Sequence, residues 1–479
     1  MWRASHGPLA EFPSPFNLMV AALNCAGYVD RSRAPPGRTE RNSTSGILWG
    51  GEESLTAPSP SLRSPRGPLA QRNFLMLFGA RAVSSLGDGI SLVALTFAML
   101  DLAGPGGLAL VLLAREIPTV AMLLIGGVWA DRMSRRKLMI GANLAMFAAQ
   151  AASGALVLAD SAAVWNIALL QVVYGLGNAL FLPASLSVVP QTVTSEHLQK
   201  ANALLSLSRN SLGVIGPMAG ALLVATVGEG WGMAADAGTF LLASLAFTLM
   251  RITEPEREES ESVLKELQGG WKEFTSRTWV WTIVSSFGLF QLAVFPVFMV
   301  LGARIAKEDL GGAGAWGGLL AATSAGAILG ALVATKLKPK LPLVFGQFLI
   351  LPVGLFFALF AVGAPLLVLQ AVAVFAWACS ELGDTLWYTA LHENVPEEAL
   401  GRISSFDFFG SQLFKPIGFA LVGPVGAAVG ANTVMLGSAG LLVLVTVAIL
   451  FVPGVWQIRS AEAATEAEAT PEAAAVDSK

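Results

Sequence analysis

The chain has 479 residues, 54% hydrophobic and only 13% charged, with a formal net charge of −3, a pI near 5.8 and a mean hydropathy of +0.64. Soluble domains carry about 25% charged residues, so an ordinary cytosolic enzyme and a disordered chain are excluded; a nucleic-acid binder is excluded too, because no basic domain is present to release counterions. Two cysteines and three histidines support neither a disulfide framework nor a metal centre, so no metal or cofactor is expected. The apolar fraction is enough for roughly twelve membrane helices of about 20 residues each.

Residues 1–72 are rich in Pro, Ser, Gly and Arg without helical period and are expected to form a disordered tail. A short apolar run at 16–27 lacks a small-x-small cleavage site, and Asn24 stands before Cys25 where a lipoprotein signal wants a small residue, so an untranslocated tail is the better reading. From 73 onward, eleven polar or Gly/Pro breaks separate twelve apolar spans. Their expected limits are 73–101, 107–130, 137–158, 162–189, 202–227, 231–251, 278–302, 312–335, 341–361, 365–391, 403–424 and 431–455. The charged break at 252–277 divides them into halves 73–251 and 278–455, and 456–479 forms a second tail that opens on Trp456 and Arg459.

Of the 30 Lys and Arg residues, 24 fall on one side of the membrane, two (Arg304 and Lys307) on the other, and four (Arg81, Arg115, Arg209 and Lys415) inside spans. The positive-inside rule then makes both termini cytoplasmic. An internal repeat supports the six-plus-six division. Leu176, Gly177, Asn178, Ala179 and Leu180 in span four match Leu382, Gly383, Asp384, Thr385 and Leu386 in span ten, and Ile215-Gly216 matches Ile417-Gly418. The expected fold is an all-α membrane protein of twelve transmembrane helices in two six-helix pseudo-symmetric halves.

The loop after span two contains Gly127, Asp131, Arg132, Ser134, Arg135 and Arg136. This run resembles the G-x-x-x-D-R-x-G-R-R motif of the major facilitator superfamily, with Ser134 in place of the second glycine. Gly127 permits close helix approach and Asp131 can pair with arginines, a clasp suited to a conformational switch. Span five carries Gly213, Gly216, Pro217 and Gly220, similar to the antiporter motif of that superfamily's exporters; the three glycines are expected on one face, and Pro217 adds a kink. In span four, Gln171 stands where many members have the arginine linked to proton coupling, so the coupling acids are sought elsewhere.

An ionisable residue at mid-bilayer costs roughly 2.5–3.5 kcal/mol and so asks for a reason. In span one, Arg81, Ser84, Asp88 and Ser91 share a face, with Asp88 about 21 Å along from Phe74. Asp88 is a candidate cavity acid for a proton or a cationic group; the alternative is an ion pair with Arg115 or Arg209. The resemblance also extends to the superfamily's drug and siderophore exporters, whose first span often carries a similar Ser-x-x-Gly-Asp pattern. In span ten, Glu381, Asp384, Thr385, Tyr388 and His392 form one polar stripe. Glu381 and Asp384 are further proton-coupling candidates, and Lys415 or Arg209 could neutralise them instead. Arg81, Arg115, Glu116, Arg209, Asn178, Tyr388, Asp407 and Lys415 are candidate cavity residues. Arg115 and Glu116 lie about 100° apart on their helix and are not expected to face each other. Asp236 is expected near the outer interface, and the aromatic residues Phe290, Phe295, Phe375, Trp377 and Trp387 in lipid or core.

The resemblance implies a non-enzymatic secondary transporter in a bacterial plasma membrane. Its partners would be a small amphipathic substrate, protons and the bilayer, with no nucleic acid, and a monomer suffices. Efflux is favoured over uptake symport by the span-five motif. A non-transporting sensor would want a folded soluble appendage, which neither tail supplies.

Overall fold

The computed structural model describes residues 67–132, 134–252 and 263–460, with side chains at 123–132, 263–268 and 398 left out. The expected tails before 67 and after 460 lie outside the described residues, as do the side chains of Gly127, Asp131 and Arg132. The described residues are helical throughout, without a strand, and the twelve spans fall in two halves of six. Eleven stretches are long and apolar enough to cross a membrane, and the first of these holds two spans.

Spans one and two are the two arms of Arg72–Arg132, joined at Gly104. The expected loop at 101–107 is therefore a single point of reversal: Gly104 takes φ 65°, which a side chain disfavours, and Pro105 opens the next helix with its φ already fixed. Spans three to six are Arg135–Leu158, Val164–Thr192, Leu198–Val227 and Glu229–Leu249. Span seven runs Thr278–Asp309, two turns beyond its expected end, because a single wide turn at Phe298–Gly302 lets the helix continue through Arg304 and Lys307. Spans eight to twelve are Ala313–Ala334, Pro342–Ala361, Leu366–Asn394, Ala399–Val429 and Ala431–Leu450.

The charged stretch between the halves contains a helix the apolar pattern did not indicate, Val263–Ser276. It lies against the start of span eleven, where Trp271 and Phe274 stack on Phe406, and Gly270 leaves room for Phe406 and Arg402.

The N-terminal half is closed at the N-terminal end of its first span. Asn73 donates from Nδ2 to the Arg251 carbonyl at 2.7 Å and accepts from the Arg251 N–H at 3.2 Å, tying the start of span one to the end of span six. Arg135 donates to the Ser187 carbonyl in span four at 3.1 Å. Arg136 donates to the Phe247 carbonyl of span six at 3.0 Å and to that of Thr248. Arg136 thus meets carbonyls in the last turn of span six, where a helix end leaves them short of partners, and Arg135 ties the start of span three to the last turns of span four.

Between spans the chain uses small residues, as membrane bundles do in the absence of a hydrophobic drive between helices. The span-five motif divides between two neighbours. A Cβ on Gly216 would lie 2.9 Å from the Gly89 Cα of span one, and one on Gly220 would lie 2.7 Å from the Ile90 carbonyl. Gly213 instead faces Ser324 of span eight, where a Cβ would come within 3.1 Å of the hydroxyl. Pro217 also meets span eight, its carbonyl 2.7 Å from where a Gly317 Cβ would stand. Steps of three and four keep the glycines within an arc of about 60° on the helix; because span five is wedged between its own half and the other, that arc meets different neighbours along its length. Spans two and eleven make the second crossing between halves, with Gly423 close to the Gly106 backbone. An ion pair between Lys307 and Asp101 fastens the same end of the bundle.

The C-terminal half is built around aromatic residues. Phe298, Trp316, Phe356 and Trp377 interlock with centroid separations of 4.9–5.7 Å, and Trp316 is fully buried. Trp377 is thus core, while Phe375 is 58% exposed on the outside of the bundle. Gly216→Val is expected to lower the stability of the purified protein by about 1–3 kcal/mol in detergent melts, through overpacking against backbone that cannot move aside. Gly437→Val, at a position with nothing within 4 Å of the added carbon, should leave the melting curve in place.

Candidate functional site

The polar residues of the N-terminal half converge on a connected network at mid-span. The Tyr174 hydroxyl of span four donates to Asp88 Oδ1 of span one at 2.5 Å. The Arg115 guanidinium of span two lies 3.9 Å above the centre of the Tyr174 ring and within electrostatic reach of Asp88. Thr119 explains how Arg115 is presented. Its hydroxyl donates to the Arg115 carbonyl at 3.0 Å, beside Pro118, whose missing N–H interrupts the helix ladder. Asp88 is exposed although protein surrounds it, so open space reaches the middle of span one. The pairing of Asp88 with Arg115 and the exposure of Asp88 to that space coexist; one does not replace the other.

Beside it lies a second acid, which corrects its expected placement. Asp236 is not interfacial: it is fully buried, and Gln150 of span three donates from Nε2 to its Oδ2 at 2.6 Å. The same Gln150 amide nitrogen donates to the Ser91 hydroxyl of span one, and Gln150 Oε1 accepts from Gln171 of span four at 3.2 Å. The physical reason is that a carboxylate in this setting needs donors, and Gln150 supplies both hydrogens of one amide to two acceptors. Gln171, singled out by the sequence for the arginine it replaces, is part of this lattice and is itself fully buried. Tyr174, Gln150 and Asp236 were missed as site residues. The available signal was weak: uncharged amides and a phenol inside apolar spans stand out far less than a charge.

The C-terminal half places its stripe as the period predicts but divides its members. Glu381 is half-buried and within electrostatic reach of Arg209 in span five, so this interaction crosses between the halves. Arg209 is itself exposed to open space. Asp384 borders a small cavity among spans seven, nine and ten, with Phe287, Gln347 and Trp387 in its wall. It shares electrostatic range with Glu381 and Asp407. Asp407 is 4% exposed and accepts from the Trp387 indole N–H at 3.2 Å, which fastens span eleven to span ten. Tyr388 and Asn178 are half-buried on spans ten and four, and His392 is half-buried at the end of span ten.

Lys415 does not neutralise the span-ten acids. Its ammonium lies 3.1 Å from Glu116 Oε1 in span two, with side chains 13% and 18% exposed, and 4.2 Å from the centre of the Phe295 ring. Arg115 and Glu116 thus face different partners, one within its own half and one across, as their 100° separation requires. Among the described residues no cluster of His, Cys, Asp and Glu could hold a metal ion.

Twelve helices in two halves, with carboxylates and cations gathered at mid-membrane and ion pairs crossing between the halves, define a transporter architecture rather than an enzyme active site. Residues 77–419 match the model of the Major Facilitator Superfamily, and the chain belongs to that family. It is 32% identical over 348 residues to the enterobactin exporter EntS of Shigella boydii serotype 18, covering 67% of this chain and 80% of that one. The EntS of Escherichia coli O1:K1 is 32% identical over 346 residues with the same coverage. Solved structures share the fold: a D-xylose-proton symporter (TM-score 0.61, 14% identity, 80% of this chain and 97% of that) and a POT family transporter in complex with 5-aminolevulinic acid (TM-score 0.65, 13% identity, 80% and 97%). The protein is a multi-pass membrane transporter of a small molecule.

The pair across the halves yields a measurable coupling. Replacing Lys415 by Met or Glu116 by Gln singly should each destabilise the protein, because each leaves one charge without its partner. The double substitution should recover part of the loss, and a double-mutant cycle on melting should return a coupling of about 0.5–3 kcal/mol.

Proposed function

We propose that the chain is a proton-coupled exporter of a small amphipathic organic compound of the drug, secondary-metabolite or siderophore type. It works by alternating access in a bacterial cell membrane with both termini cytoplasmic. The observation that carries the reading is Asp88: a carboxylate at the middle of span one, reached by open space, and held by the Tyr174 hydroxyl beneath the Arg115 guanidinium. Its relatives are enterobactin exporters, which supports the direction and the substrate class. The organisation proposed with it is a tail at 1–72, halves at 73–251 and 278–455, a cytoplasmic linker at 252–277 and a tail at 456–479, functioning as a monomer without nucleic acid.

With cytoplasmic termini, the end of the bundle fastened by Asp101–Lys307, Gly106–Gly423 and Pro217–Gly317 is the outer one. The arrangement is then the one closed to the outside. Ionised, Asp88 is a strong acceptor for Tyr174 and a counter-charge for Arg115; protonated, it is neither, and the local balance of spans one, two and four shifts. A proton taken up from the outside and released to the cytoplasm would thereby favour opposite arrangements of the halves in turn. Glu381 facing Arg209 across the halves, together with Asp384, supplies a second set of coupling groups. Asp131 and the motif arginines serve as the cytoplasmic switch.

In inside-out vesicles with an acidified lumen, an exported compound is expected to dissipate the pH gradient. Asp88→Asn should reduce that dissipation at least tenfold while labelled substrate still exchanges down its own gradient. Labelled flux that ignores the imposed gradient in the wild type would overturn proton coupling and leave the transporter standing. Unaltered dissipation in Asp88→Asn would move coupling away from span one.

A further inference from the structure

The face of span one that carries Asp88 begins with two groups the coupling scheme does not use. Arg81 lies seven residues before Asp88, about 10 Å nearer the start of the span. Its Nη1 is shielded from solvent and has no hydrogen-bond partner among the described residues. Ser84, three residues on and so on the same face, is 5% exposed, and its hydroxyl likewise has no partner among them. Many hydroxyls of the bundle donate to a carbonyl of the preceding turn, as Thr96, Ser153, Thr282 and Thr385 do. Ser84 makes no such bond. A second guanidinium, Arg209 of span five, is within electrostatic reach of Arg81, and Glu381 of span ten is within reach of Arg209.

Two like charges near one another, one of them with a donor shielded from water and unmatched, favour a negative group that joins them. The requirement is geometric as well as electrostatic. A guanidinium nitrogen offers planar donors suited to a carboxylate or phosphate oxygen, and a hydroxyl one turn away offers a third donor to the same group. The corner brings a second guanidinium within reach of the unmatched Arg81 donor. A cationic substrate would meet repulsion here, and a neutral one would leave the donors unmatched.

We propose that Arg81, Ser84 and Arg209 form an anion-binding subsite, which receives a carboxylate or phosphate-like group of the transported molecule. The inference rests on the transport reading and specifies its substrate class: amphipathic compounds with an anionic end, seated at Arg81, and an apolar body. Occupation of the subsite joins span one to span five through the bound group, whereas Asp88 joins span one to spans two and four.

The test is equilibrium binding to the purified full chain in phosphatidylcholine nanodiscs at pH 7, so that no lipid carries a net negative charge and no proton gradient exists. The probes are 1-naphthoate and 1-naphthyl phosphate, with 1-naphthamide as the neutral counterpart of the same ring system. At least one anion is expected to bind saturably and at least tenfold more tightly than the amide. Arg81→Gln should bring it down to the level of the amide, Arg81→Lys should lose less, and Ser84→Ala should lose about twofold to fivefold with all charges in place. Equal binding of anion and amide, anion binding untouched by Arg81→Gln, or no saturable binding of either anion would each overturn the subsite. Should Arg81→Gln fail to fold, Arg81→Lys and Ser84→Ala decide the matter by the same anion-to-amide ratio. Because no gradient is applied, failure here leaves proton coupling untouched, and failure of gradient dissipation leaves this binding measurement valid.

Discussion

A carboxylate placed among apolar helices has to be met by donors from other helices, and this requirement organises the N-terminal half. Asp236 is met by Gln150, which reaches Ser91 and is reached by Gln171. Asp88 is met by Tyr174, over which Arg115 lies. Five of the six spans of that half contribute a member to these contacts, so a group that looks costly in isolation becomes a cross-link. Span five takes no part in them. It approaches span one closely through Gly216 and Gly220 and turns Gly213 and the Pro217 carbonyl to the other half, a position suited to sliding rather than to anchoring.

The two halves share a repeat and differ in what holds them. The N-terminal half is tied by hydrogen bonds between side chains. The C-terminal half fills its centre with Phe298, Trp316, Phe356 and Trp377, and keeps its polar contact between spans ten and eleven to the Trp387–Asp407 pair. Aromatic packing is less demanding of direction than a hydrogen-bonded carboxylate, and the wide turn at Phe298–Gly302 lies within that packing.

Much of the architecture was legible in the sequence because it depends on properties that are additive along the chain. Apolar length placed most of the spans to within a few residues, and the polar stripe of span ten and the face shared by Arg81, Ser84 and Asp88 followed from helical period. Pairing was another matter. That Glu116 would find Lys415, that Lys415 would leave Glu381 to Arg209, and that Asp236 would be buried with Gln150 all depend on the rotation and depth of helices far apart in sequence. A period fixes which residues share a face; it does not say which face of another helix stands opposite. The reversal at Gly104 was hidden for a different reason. A polar break signals an interruption, but whether one residue or seven accomplish it rests on a single positive φ. The helix Val263–Ser276 was masked by its charge, since its apolar side is narrow and only the aromatic contacts with Phe406 reveal its purpose.

The reciprocal amide contact between Asn73 and Arg251 has a mechanical meaning. It brings the point where the chain enters the first six helices next to the point where it leaves them. A load transmitted through either connection is then applied at one spot on the rim of the half and is shared at once between span one and span six, so it cannot peel one helix from the bundle before the other. The six helices respond as one lever with a single handle, and the handle sits on the rim opposite the fastening made by Asp101 and Lys307.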